Sequence, residues 1–187
     1  AERGIRLKTR QPDGLRDIHT GSAPMRVAGA QHAFRFKAPG WTLDVAVERA
    51  NPSIHAEGFH LTSLGEGVAY YSAALTYHIG GAPVQEFRLR VPESIPFVEI
   101  TGADVEGWTL EGDICTVRLQ ARLMGDYTLL ATYDRQYADE TDTLPVAEIE
   151  TLGTESEVGY IAVASALSLS LRPAGELPDG VIASSAD

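Results

Sequence analysis

A single cysteine, Cys115, stands among 187 residues, which excludes an internal disulfide and any multi-cysteine zinc site. Lysine is almost as scarce, with Lys8 and Lys37 set against thirteen arginines. Bases of both kinds number 15 against 26 acids, a net charge of −11 that argues against nucleic acid as a partner, since phosphate neutralisation needs clustered Lys and Arg. No apolar run reaches the ~18–20 residues that cross a bilayer as a helix, so this segment is not expected to insert in a membrane. The nearest approach, Gly159 to Leu171, is short, and its second half alternates with serine like a strand. Apolar spacing of the i, i+3, i+4, i+7 kind never holds over three turns, so helix is expected in at most a turn or two. Eighteen glycines and ten prolines are too few and too aperiodic for collagen or a low-complexity linker.

Catalytic signatures are missing as well. There is no G-x-S-x-G or S-x-x-K around any serine, no G-x-G-x-x-G and no Walker loop. No cofactor, metal or catalytic residue is nominated, and the chain reads as not an enzyme. Cys115 alternates in phase with Val117, Leu119 and Ala121, which predicts a small buried hydrophobe rather than a thiolate.

What is present is alternation with period two. Val, Ile and Thr, the β-branched residues, make up about a fifth of the chain. Phe34 and Phe36 share one face of a run, Trp41, Leu43, Val45 and Val47 one face of another, and Pro39-Gly40 supplies the turn between. A long run places Tyr71, Ala73, Leu75, Tyr77 and Ile79 in phase, and Phe87, Leu89 and Val91 follow after Gly80-Gly81. Gly-Gly between alternating runs predicts a hairpin, because both glycines tolerate φ > 0. Further strands are expected with Cys115 to Leu123 on one face, with Tyr127, Leu129, Ala131 and Tyr133 starting afresh at Gly125-Asp126, and near 146–152 and 158–171. About ten to twelve mostly antiparallel strands at roughly 10-residue spacing predict an all-β fold, a β-sandwich or super-sandwich. Residues 1–187 are read as one module, with an alternative division near 80–83.

Charge is uneven: residues 1–133 carry a net −2 and residues 134–187 a net −9. Asp134, Asp139, Glu140 and Asp142 crowd an expected loop (134–142) that could offer calcium several carboxylates but lacks the EF-hand spacing, and a solvated loop is the plainer account. Among the five histidines, His55 and Glu57 share a strand face and His60 follows three residues later. With Tyr70 and Tyr71 as stacking surfaces, these five residues are the candidates for ligand contact. Trp41, Tyr77 and Trp108 could add to an aromatic platform for sugar rings, although most of these aromatics lie in phase with aliphatic neighbours as core residues do.

Two resemblances follow. Gly125-Asp126-Tyr127-Thr128-Leu129 resembles the G-x-Y-T-L stretch of immunoglobulin-like sandwiches, which implies a tyrosine hydroxyl bonded to backbone at a sheet corner. Residues 68–180 resemble the β-rich region of large uncharacterised bacterial cell-envelope proteins, through Val91-Pro92, V-x-I-x-G (Val98 to Gly102), V-x-x-W (Val105 to Trp108), G-Y-I-A-V (Gly159 to Val163) and E-L-P (Glu176 to Pro178). That likeness implies an extracytoplasmic location in the periplasm or cell envelope, and it carries over no catalytic residue. The ends, a strand-like IRLKTR and a closing LPDGVIASSAD without initiator Met or signal peptide, predict a piece of a longer polypeptide. The expectation is therefore a non-catalytic structural or binding module whose partners are other domains of the same polypeptide, a carbohydrate or a protein. The alternatives are a carbohydrate-binding or carbohydrate-active domain of the mutarotase-like super-sandwich type, and a fragment that pairs through an open strand edge.

Overall fold

Alternating side chains become strand almost wherever they occur. The computed structural model describes residues 5–138, 141–165 and 172–184; strands account for 62% of these described residues, and no α-helix occurs among them. Eleven strands run in order: β1 (Ile5–Asp13), β2 (Leu15–Ile18), β3 (Ala33–Phe36), β4 (Thr42–Arg49), β5 (Ser53–Leu64), β6 (Val68–Arg90), β7 (Glu99–Gly102), β8 (Val105–Glu111), β9 (Ile114–Gln136), β10 (Glu150–Leu152) and β11 (Ser156–Ser165). A 3-10 turn at Thr20–Ser22 is capped by His19, whose Nδ1 accepts from the Gly21 amide. No helix of the described residues is long and apolar enough to cross a membrane.

The N-terminal strands stand apart from the rest. β1 pairs antiparallel with β4, and β2 with β3, as two separate two-stranded sheets. The other seven strands form one sheet in which β6 and β9, each 23 residues long, are shared by two layers. The first half of β6 (68–79) pairs with the second half of β9 (125–136), with β5 and β11 on one side and β7 on the other. The second half of β6 (84–90) pairs with the first half of β9 (114–123), flanked by β10 and β8. All pairings are antiparallel except β11 with β5.

One ring contact shows that the two halves face each other. Tyr77 and Phe87 lie ten residues apart on β6, which an extended strand would separate by about 33 Å. Their ring centroids are 4.2 Å apart, and Phe87 stacks in turn on Tyr127 at 5.3 Å. The sheet therefore folds over itself into a sandwich, with Leu75, Tyr77, Leu129 and Ala131 meeting Phe87, Leu89, Cys115, Val117 and Leu119 across the core.

The fold-over corrects two expectations. Gly80-Gly81 does not close a hairpin, and Gly125 does not open a new strand; both lie inside continuous strands. The physical reason is the register shift between Ile79 and Val84, where surplus β6 residues bulge out and bend the strand. Gly81 has φ +70 and passes so close to the Asn51 carbonyl that a Cβ would sit 2.4 Å from that oxygen; Gly125, beside Ile79 in the register, has φ +95. The positive φ that suggested a turn serves a corner instead. Residues 80–83 fall within this bend.

The same corner shifts the phase on β9. Cys115, Val117 and Leu119 are buried as expected, but Ala121 is exposed and Leu123 half-buried. Arg118 and Arg122 point to solvent.

Candidate functional site

The layer containing β11, β5, β7 and halves of β6 and β9 turns one face to the core and the other outward. Strand parity decides which residues share the outer face. His55 and Glu57 lie there, whereas His60, an odd number of residues further along β5, lies on the inner side. Tyr70 is outward and exposed; Tyr71 is inward, buried and stacked on Tyr133 at 4.5 Å with rings parallel to 1°. The five candidate residues therefore do not converge, and the split follows directly from period two.

The register brings other partners to His55 and Glu57. Ser156, His55, His78 and Asp126 are successive neighbours across β11, β5, β6 and β9. His55 Nδ1 lies 2.9 Å from Ser156 Oγ, and its Nε2 3.5 Å from Glu155 Oε2. His78 Nδ1 lies 2.8 Å from Asp126 Oδ1, and its Nε2 3.7 Å from Glu57 Oε1. The hydrogen bond to Asp126 raises the His78 pKa above the ordinary imidazole value, with the charges of Asp126 and Glu57 adding to it against a smaller desolvation effect. Single-strand spacing could not have found His78 or Asp126, because both arrive by long-range pairing.

Could this row work as a catalytic apparatus? A serine beside a histidine beside a carboxylate has the right residue types. Every ionisable member is at least two-fifths exposed, and a general base needs a dry, shaped surrounding to be tuned and oriented. No group of three or more His, Cys, Asp or Glu side chains gathers to hold a metal among the described residues.

On the inner side, burial lowers the His60 pKa against the opposing charge of Glu157. Glu157 is a structural clamp: its Oε2 accepts from the Thr151 amide at 2.9 Å and from the Thr151 hydroxyl at 2.5 Å, tying β10 of one layer to β11 of the other. His60 and Tyr71 line a cavity of about 10 Å3, roughly the room of one water. The Tyr71 and Tyr77 hydroxyls are buried without a hydrogen-bond partner among the described residues. Cys115 is fully buried, and burial pushes its thiol up to about 11, so it holds its proton at neutral pH.

Tyr127 does bond to backbone. Its hydroxyl donates to the Ala103 carbonyl at 2.5 Å, in the turn between β7 and β8. Gly102 makes room for it, since a Cβ there would lie 2.7 Å from the Tyr127 oxygen. Of the acidic run, Asp134 belongs to β9, Asp142 is exposed, and Asp139 and Glu140 lie outside the described residues. Trp108 packs partly buried against the core, and Trp41 is exposed beside Phe36 at 5.7 Å.

The outer face carries two further features. Tyr160, Phe59, Ala74 and Leu130 occupy one row of the register, with Val158 beside them, and form an apolar stripe that no other described residue covers. Beyond it, towards the start of β6, a groove of about 350 Å3 runs over Ser72 and Thr132 between Tyr70 and Phe97, with Glu99 and Asp134 in its wall. Tyr70 and Tyr71, both contact candidates, and Asp134 of the acidic run were singled out in the sequence; Phe97 and Glu99 sit in a proline-punctuated stretch with no pattern to mark them.

No family model matches the chain, and no curated protein matches it. Among solved structures, the M1 zinc metallopeptidase from Deinococcus radiodurans is similar at 16% identity over 46% of this chain and 21% of that one, with a TM-score of 0.30. A mutant of the same enzyme bound to a Tyr-Ser-Ala substrate gives 15% identity over 50% and 22%, also at 0.30. This chain spans about a fifth of the length of those structures. At that score the likeness carries over neither fold nor chemistry.

Proposed function

We propose that this chain is a non-catalytic β-sandwich module of a larger extracytoplasmic bacterial protein, and that it acts by docking through the outer face of its five-stranded layer. The supporting observation is the apolar stripe on that face, where Tyr160, 78% exposed, lies in a row with Phe59 and Leu130, and Val158, 63% exposed, lies beside it on β11. Contiguous apolar surface on a soluble domain marks an interaction site. β11 is the last strand of the same layer among the described residues, and it carries no charge from Val158 to Ala164. The two histidines of that face pair with Glu155, Asp126 and Glu57 in the open, an arrangement suited to a polar rim and not to catalysis. The bacterial envelope setting draws on the sequence resemblance of residues 68–180 alone.

The test is a photo-crosslinking residue placed at Tyr160 in the full-length parent protein. A crosslink to a neighbouring domain of the same polypeptide is expected. A chain that crosslinks to nothing there, or that hydrolyses or transfers any of a panel of esters, glycosides and peptides, overturns the proposal. The carbohydrate alternative draws its support from the groove at the other end of the face.

A further inference from the structure

We infer that the groove between Tyr70 and Phe97 binds a neutral saccharide, an assignment that rests on the binding half of the reading above and specifies the ligand. Tyr70, on the outer face of β6, is 57% exposed, and Phe97, in the segment leading into β7, is 68% exposed. Aromatic rings left open to water at two sides of one groove offer flat apolar surfaces on which the C–H face of a pyranose can stack. Ser72 and Thr132, side by side in the register, supply hydroxyls that both donate and accept. Glu99 and Asp134 supply carboxylates that only accept, and neither forms a hydrogen bond or ion pair among the described residues.

That inventory selects the chemistry of the ligand. Two carboxylates and no lysine or arginine in the lining repel phosphates, sulfated sugars and uronic acids. A ligand rich in neutral hydroxyls satisfies every part: its O–H groups donate to Glu99 and Asp134 and exchange bonds with Ser72 and Thr132, while its ring covers an aromatic side chain. A cationic side chain would answer the carboxylates but would leave the hydroxyl floor and the second ring unused. The volume falls within the range of small-molecule sites, at their lower end.

The experiment is a heteronuclear NMR titration of the purified chain with neutral oligosaccharides of glucose, mannose, xylose, galactose and N-acetylglucosamine, and separately with an oligo-lysine peptide. At least one saccharide is expected to shift the amides around 70–72, 97–99 and 132–134. Tyr70→Ala and Phe97→Ala should each weaken it about tenfold, equivalent to ~1.4 kcal/mol. Circular dichroism and thermal melts should be unchanged, because both rings are already more than half in water. Affinity should be the same at about 50 and about 500 mM salt, since no ion pair forms on binding. Silence across the panel, shifts confined to another surface, equal binding by both alanine variants, or binding of the lysine peptide alone each overturns the assignment. Because the titration uses the isolated chain and the Tyr160 crosslink uses the parent, failure of one is distinguishable from failure of the other.

Discussion

Val45 and Val47 on β4 and Leu75 and Tyr77 on β6 are written in the same way, apolar residues two apart on one strand face. Leu75 is completely buried, whereas Val47 is 63% exposed. All buried positions among the described residues lie between Ala56 and Thr151, and none falls in β1 to β4. The local pattern is shared; the neighbours are not. Among the described residues β4 pairs with β1 alone and its apolar face meets no second layer, while β6 has partners on both edges and its own continuation packed across the core. A two-stranded ribbon cannot bury a face by itself. Alternation specifies which side chains lie together, and the topology decides whether water leaves them.

That contrast can be broken at several points. The largest effect is expected for Leu75→Ala, which opens a cavity between the layers and should cost about 3 kcal/mol of unfolding free energy by urea denaturation. Gly102→Ala should cost about 1–3 kcal/mol, because the new methyl group meets both the Tyr127 hydroxyl and Leu129; the Tyr127 bond to Ala103 is the contact it displaces. A loss as large from Val47→Ala would show that the ribbon has a covering layer after all. Its expected cost is under ~0.5 kcal/mol, the smallest of the series.

Between these extremes, the two histidines on opposite faces of the layer should respond to pH with opposite sign. The folded His78 pKa is raised, so its contribution is fully present below about 6.5, the unfolded value, and is lost as pH rises through the higher folded value. The folded His60 pKa is lowered, so its cost sets in as pH falls through about 6.5 towards the lower folded value. Urea midpoints measured from pH 5 to 8 should fall at the acid end for His78→Asn and rise there for His60→Asn. The same direction in both variants would show that the two side chains share one environment. Amide hydrogen exchange offers a further check, with β4 expected to exchange faster than β6 and β9.

Much of the sandwich was legible along the chain. The inward phase of Tyr71 to Ile79, of Cys115 to Leu119 and of Tyr127 to Tyr133 can be read from alternation, and so can the buried thiol. The failures have one origin. Gly80-Gly81 and Gly125 are compatible with a hairpin and with a strand bending at a bulge, and only the opposing strand settles which; Ala121 was misplaced by the same corner. At the candidate site, the separation of His60 from His55 was available in the parity of their numbers. The arrival of His78 and Asp126 was not, since it depends on pairing residues 23 and 71 positions away from His55. Phe97 and Glu99 carried no signal because they stand where alternation is interrupted.

The shared strands also set the order in which the chain can assemble. The ladder between β6 and β9 joins residues 24 apart at Arg90 and Ile114 but 68 apart at Val68 and Gln136. Its near end adjoins the two-residue turn at Gly112-Asp113 that links β8 to β9. Loop-closure entropy rises with span, so the ladder should lengthen from the turn outward, with the Tyr71–Tyr133 pair formed late and folding in the slow, millisecond-to-second range of non-local β proteins. Leu89→Ala, near the turn, should then slow folding, and Ala69→Gly, at the far end, should chiefly speed unfolding. Both layers grow from the same two strands, so neither can finish before the corner between them has turned.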